Sequence, residues 1–323
     1  MRKLIVFLGD FYPECAPFCA ELQNSVEYDF LPFVVPSVLT QQPWLLNFTK
    51  VFKTRTANSN IINEVRSLNP FAILVRSWTG FAGINLPEAI YWKMETMQRE
   101  SPNQPLPRVN PTKPFRAMLT QNHVEVPVYK DLGIPVGWLP RGVSHNWEKP
   151  LPKTYDVMVT GTAIQQTKID SFKLLMGNLI SVLSPEQLRV YINAGGIPEF
   201  AAYRKPTHPA EQGPTLMAQA KIFISPVTTR FDPGIISHKT VQAMACRTLT
   251  LTQRYVGVED LMGKDGENLI YADTPEEAKE KVLYYLSHDV EREAIAERGY
   301  NFIHAKYNVT KIIKQAFKEI GVE

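Results

Sequence analysis

The segment His238-Lys239-Thr240-Val241-Gln242-Ala243-Met244-Ala245-Cys246 follows a serine and has helical spacing of its apolar positions. A helix starting near Ser237 points backbone N–H groups and the positive end of its dipole outward, which favours a diphosphate. Lys239, in the first turn, supplies a charge-assisted contact to a phosphate. Gln242, one turn on, offers a carbonyl acceptor and an NH2 donor. Gly161-Thr162 and Gly195-Gly196 allow close backbone approach to a second part of the same ligand. Gly161, Thr162, Gly195, Gly196, His238, Lys239, Thr240 and Gln242 are therefore the candidate ligand-binding set. Two plainer readings stay open: the glycines make turns only, and Lys239 lies on a solvated face.

Other chemistries lack their residues. There is no GxGxxG after Gly9, no GxxxxGK[ST], no HExxH, no CxxC and no GxSxG. Hydride transfer, P-loop hydrolysis and serine hydrolysis are set aside, and neither a metal nor a bound cofactor is expected. Cys15 and Cys19 read as one buried helix face, and three cysteines with Cys246 cannot all pair within one chain. Reduced thiols point to a cytoplasmic protein. No apolar run approaches the ~20 residues of a membrane span.

These residues need elements to hold them. Lys3–Leu8, Phe30–Val35, Phe71–Val75, Ala117–Thr120 and Pro135–Leu139 read as strands, and Cys15–Val26, Asn60–Leu68, Leu86–Met97 and Val124–Leu132 as helices. Ser101–Pro114 holds five prolines and reads as a long loop. After a proline-bearing linker at Glu148–Lys153 the rhythm restarts. Strands are expected at Tyr155–Thr160, Leu188–Asn193, Ile222–Ser225, Leu249–Thr252 and Asn268–Tyr271. Helices are expected at Ser171–Leu183, Thr215–Ala220 and Ser237–Cys246, and through most of the chain from Pro275. Gly161-Thr162 is expected to be the turn after its strand. Alternating strands and helices predict an α/β fold of two Rossmann-like domains facing each other across a cleft, residues 1–148 and 149–323. Ligands bind outside the carboxyl ends of such strands.

Downstream of Cys246 come Thr248-Leu249-Thr250-Leu251-Thr252, Gly257-Val258-Glu259-Asp260-Leu261, Gly266-Glu267-Asn268-Leu269-Ile270-Tyr271, Pro275-Glu276-Glu277-Ala278 and Glu297-Arg298-Gly299. This succession resembles the C-terminal domain of group 1 glycosyltransferases, especially the branch with spore-maturation-type proteins. The likeness extends upstream through Gly133-Ile134-Pro135-Val136, Leu139-Pro140-Arg141-Gly142-Val143 and Tyr155-Asp156-Val157, covering roughly residues 117–310. It implies the GT-B architecture, with the terminal helix returning to the first domain. It also implies transfer of a hexosyl or pentosyl group from a nucleotide-diphosphate sugar to an acceptor hydroxyl, without an essential metal. The nucleotide sugar would bind the C-terminal domain. Two departures stand out: Gln242 occupies the place of the family's ribose-binding Glu, and Gly234 the place of its partner Glu. The alternatives are a two-Rossmann sugar-nucleotide epimerase and an inactive nucleotide- or glycan-binding relative. For a catalytic base the candidates are Asp10, at the end of the first strand, and His123.

The first domain would then bind the acceptor. Residues 50–116 hold ten basic residues against four acids, net +6, in a chain that is +3 overall. Trp44, Phe48, Phe52, Trp78, Phe81, Tyr91 and Trp92 lie among or beside them. Basic groups with stacking rings suit a polyanion, so a hydroxylated base in DNA is one acceptor class and a glycan or small molecule the other. Arg76, Trp78, Arg108 and Lys113 are the candidate acceptor contacts. The plainer reading is that the rings are core and the charges solvated.

Overall fold

The computed structural model describes residues 2–9, 18, 21–22, 25–34, 53–54, 59–76, 86–93, 115–143, 150–162, 166–193, 197–206, 212–227 and 234–322. The apolar runs form strands covered on both faces, as parallel sheets require. The chain divides into two compact units: unit 1 takes residues 1–97, 105–146 and 307–323, and unit 2 residues 98–104 and 147–306.

Unit 1 holds β1 (Lys3–Leu8), β2 (Tyr28–Val34), β3 (Lys53–Thr54), α1 (Ser59–Ser67), β4 (Ala72–Arg76), β5 (Ile90–Lys93), β6 (Ala117–Thr120), α2 (Glu125–Asp131) and β7 (Val136–Trp138). Its sheet is wholly parallel in the order β3-β2-β1-β4-β5-β6-β7. Alternate residues divide the core between the faces. Ile5, Phe7, Leu74, Trp92 and Leu119 share one cluster. Val6, Leu8, Ile73 and Val75 share another with Ile61 and Val65 of α1.

Ile90–Lys93 is a strand, contrary to the helix expected over Leu86–Met97. Leu86, Ala89, Ile90 and Lys93 have helical spacing, but Ile90, Tyr91, Trp92 and Lys93 are all buried between β4 and β6. A β-branched and two aromatic residues suit that doubly covered position, and tertiary pairing overrides the period.

Unit 2 holds β8 (Tyr155–Thr162), α3 (Gln166–Met176), β9 (Leu188–Asn193), α4 (Gly213–Ala218), β10 (Ala220–Ser225), α5 (His238–Ala245), β11 (Leu249–Thr252), α6 (Val258–Met262), β12 (Ile270–Tyr271), α7 (Pro275–Ser287) and α8 (Asp289–Lys306). Its sheet is also parallel, ordered β12-β11-β10-β8-β9. Thr274 caps α7 by accepting from the Glu277 N–H at 3.1 Å.

The chain then re-enters unit 1 as α9 (Val309–Glu319), capped by Asn308, whose Oδ1 accepts from the Lys311 N–H at 3.2 Å. Val309, Ile312, Ile313, Ala316 and Phe317 join the same cluster as Phe7 and Trp92. The helix lies so close to β7 that a Cβ on Gly137 would sit 2.6 Å from the Ala316 carbonyl oxygen. Glycine is required there by approach.

Lys153 ties unit 2 together, its ammonium donating to the carbonyls of Ala218 and Arg247 at 2.9 Å each and to Thr248 Oγ1 at 3.0 Å. Burial pushes its pKa down to about 8. The unfolded chain therefore holds this proton up to a pH near 10.4 while the folded one releases it from about 8. Stability thus rises with pH across that window, by about 1 kcal/mol per pH unit from this group. Burial of the Cys246 thiol acts in the opposite sense over the same window, so the test is relative: between pH 8 and pH 10, urea denaturation should show the wild type gaining stability relative to Lys153→Met. Burial likewise pushes the Cys246 thiol up to about 12, so it stays protonated and unreactive.

Candidate functional site

In unit 2 the strand order reverses direction between β8 and β10, the switch point where a crevice opens at the carboxyl ends of an open parallel sheet. β8, β10 and β11 all end at that edge, and α3 and α5 follow the first two.

Side chains fix the elements there. Ser225, closing β10, meets Thr240 of α5 through their hydroxyl oxygens at 2.8 Å. The Thr252 hydroxyl donates to the Ser225 carbonyl at 2.9 Å, tying β11 to β10. The Val227 N–H donates to Ser171 Oγ of α3 at 3.0 Å. The Tyr255 hydroxyl donates to the Ile235 carbonyl at 2.9 Å, holding the approach to α5. Gly234, where the resemblance expects a Glu, has φ +84°, a conformation in which any side chain is strained.

On this frame, α5 starts at Ser237 with extended backbone and no side-chain cap. All of its residues are buried except Lys239, which is half-buried. Lys168, in the first turn of α3, is also half-buried and donates through its ammonium to the Pro226 carbonyl, just past β10. Its Nζ is 5.9 Å from the Phe172 ring centre, and its Cε lies 3.7 Å from where a Gly161 Cβ would be. The side chain therefore bridges the ends of β8 and β10.

Two buried amides have acceptors to spare. Gln242 on α5 is 5% exposed and Gln253, immediately after β11, is 4% exposed, yet Oε1 of each has no hydrogen-bond partner among the described residues. Leaving such an acceptor unmet costs ~1–3 kcal/mol, so a pair of them at this sheet edge suits a ligand that brings donors. Hydroxyl groups supply it. The edge thus combines cations and a positive helix end with acceptors for hydroxyls, a set that suits a phosphorylated sugar.

The sequence-derived residues fall as follows. Gly161 and Thr162 lie within β8 and not in a turn, since pairing with Ile192 and Asn193 of β9 carries the ladder through them. Gly195 and Gly196 lie outside the described residues. His238 is buried in the first turn of α5, and the Thr240 hydroxyl is occupied by Ser225. Lys168 and Gln253 were not among the candidates. Their signals in the sequence are a basic residue opening the helix after β8 and an amide closing a strand, neither of which glycine spacing marks.

In unit 1, Arg76 closes β4 and is buried, while Asp10, Trp78, Arg108 and Lys113 lie outside the described residues. His123 is exposed, with its ring edge-on to Trp138 at 5.7 Å. Of the four basic residues of the +6 segment whose side chains are described, Arg116 is exposed and the other three are paired or buried. Arg66 is bound to Glu88 at 2.6 Å, Arg76 is buried, and Lys93 is buried against Glu125 at 2.6 Å.

Residues 178–318 match a family model described as glycosyl transferase-like. No curated protein sequence matches. HepE of Anabaena, solved with UDP and glucose, is 12% identical and superposes with a TM-score of 0.64, covering 100% of each chain. Sucrose-phosphate synthase of Thermosynechococcus elongatus is 10% identical, with a TM-score of 0.64 and 99% of each chain covered. A UDP-N-acetylglucosamine 2-epimerase is 10% identical, with a TM-score of 0.55 over 100% of this chain and 98% of its own. The mixed α/β fold with two parallel sheets is that of the GT-B glycosyltransferases. Among the described residues no helix is long and apolar enough to cross a membrane.

Proposed function

We propose that this chain is a glycosyltransferase that binds a nucleotide-diphosphate sugar at the carboxyl edge of the second sheet and passes the sugar to an acceptor hydroxyl. The observation that carries the reading is a pair of buried acceptors unmet among the described residues, Gln242 Oε1 and Gln253 Oε1, at the edge where Lys168, Lys239 and the start of α5 gather positive charge. The amide oxygens accept from ribose hydroxyls. The lysines and helix dipole take the diphosphate, stabilising it as it leaves with the electron pair of the broken C–O bond. The acceptor oxygen forms the new bond and gives its proton to a base, for which Asp10 and His123 are the candidates. This arrangement asks for no metal ion. Gln242 and Gly234 bring no carboxylate, so the sugar-binding charge pattern differs from that of the glycosyltransferases the sequence resembles. The motif order supports the spore-maturation-type branch. The UDP bound to HepE supports a uridine nucleotide and a hexosyl group as the first donor to test. The acceptor class is carried by the segment charge alone, so hydroxylated-base DNA belongs in the acceptor panel beside glycans and small molecules.

A panel of nucleoside diphosphates and their sugars in a thermal-shift assay tests the donor. A ligand at 100 times its Kd adds ~2.7 kcal/mol to stability, a shift of several degrees. UDP and a UDP-hexose are expected to give it, and Lys239→Ala to raise their Kd about tenfold through loss of one charged contact. A panel without any shift overturns the donor site. Epimerisation of the donor in the absence of any acceptor would replace transfer with the epimerase reading.

A further inference from the structure

At the amino ends of β1 and β2, away from the strand ends that carry Arg76 and Lys93, unit 1 holds a cavity of about 580 Å³ closed on one side by α9. Its floor is aromatic: Phe317 lies edge-on to Phe71 at 5.9 Å and to Tyr28 at 6.4 Å. Its rim is cationic. Lys311, Lys314 and Lys318 recur on one face of α9, and Lys3 enters from β1. Among the described lining residues one acid, Glu27, stands against these four lysines, and Lys314 holds it at 3.1 Å. Lys3 sits over the Phe71 ring at 4.4 Å, and Lys318 has no ion-pair partner among the described residues. Tyr28 is 3% exposed and lines the cavity, yet its hydroxyl makes no hydrogen bond among the described residues. Burial and the neighbouring Glu27 raise its pKa, so it stays an O–H donor.

We propose that this cavity is a second binding site, for a phosphorylated small molecule of nucleotide size whose other part is a flat or apolar ring. Lys314 and Lys318 take the phosphates, the Tyr28 hydroxyl donates to an oxygen, and the rings of Phe71 and Phe317 meet the ring group. Phosphate alone would engage the rim and leave the floor wet. A ring alone would leave the net charge unanswered. The volume suits one such molecule, since ligand cavities run to ~300–1,000 Å³. The site is independent of the donor reading, because its residues belong to unit 1 and to the other end of the strands.

Calorimetric titration of the full chain with ATP and with pyrophosphate at low salt tests it. ATP is expected to bind more tightly than pyrophosphate, and to keep an unchanged binding event in Lys239→Ala. Lys318→Glu should weaken that event tenfold or more, and Tyr28→Phe several-fold, with melting temperatures unaltered because Lys318 is exposed and the phenol makes no hydrogen bond among the described residues. The proposal is overturned if ATP does not bind, if both variants bind as the wild type does, or if Lys239→Ala abolishes the event. It is equally overturned if pyrophosphate matches ATP. Sedimentation with phosphatidylglycerol vesicles, without binding of either soluble probe, would replace it with docking on an anionic lipid surface.

Discussion

Replacing Glu125 with Ala is expected to remove ~3–5 kcal/mol of stability, lowering Tm by roughly 10 °C. The Lys93 side chain is 1% exposed and the Glu125 side chain 4%, with Nζ and Oε1 2.6 Å apart. The Thr120 hydroxyl donates to the other carboxylate oxygen at 2.6 Å, and the Asn122 N–H donates to Thr120 Oγ1 at 3.2 Å. The carboxylate is the one hydrogen-bond acceptor that the ammonium meets among the described residues, while the Tyr129 ring centre is 5.4 Å from it. Truncating Glu125 strands a charge in the interior. Removing both charges does not, so the double change Lys93→Met with Glu125→Leu should lie within ~1–2 kcal/mol of the wild type. Urea denaturation of the three proteins decides the matter. A loss under 1 kcal/mol in Glu125→Ala would mean that water reaches Lys93 and the pair carries little.

The second large effect is expected at Lys168. Its replacement by Ala should raise the Kd for a nucleoside diphosphate by ~10–100-fold, the value of one charge-assisted hydrogen bond in a partly desolvated crevice. The side chain also joins α3 to the Pro226 carbonyl, so two explanations of a loss need separating. A phosphate contact weakens UDP and leaves uridine alone. A disturbed frame weakens both equally and lowers the melting temperature. Calorimetry with the two ligands reads the difference, and equal losses would remove Lys168 from the diphosphate site.

Strand–helix alternation was legible because a parallel sheet writes itself as short apolar runs. β1, β6, β9 and β11 fall where the runs of Lys3, Ala117, Leu188 and Leu249 begin. The start of α5 was legible from its polar first turn. What depends on partners distant in the chain was not. Ile90–Lys93 obeys a helical period locally and becomes a strand only because β4 and β6 flank it. Counting charges over residues 50–116 could not reveal that Lys93 is consumed by a carboxylate 32 positions on. Gln253 is an ordinary polar residue in the sequence, and only the enclosure around it exposes the unmet oxygen. The lysine-rimmed cavity joins Lys3 to Lys318, and no window of sequence contains both.

The re-entry of α9 into unit 1 also sets an order of events at the ribosome. Unit 2 becomes complete once Lys306 has emerged, whereas the cluster around Phe7 and Trp92 lacks Val309, Ile313, Ala316 and Phe317 until translation passes them. At ~5–20 residues per second the 160 residues of the intervening stretch from 147 to 306 take about ten to thirty seconds to synthesise. Throughout that interval the first-made half carries an uncovered apolar sheet face. It is this half, and not the later one, that a nascent-chain chaperone would hold.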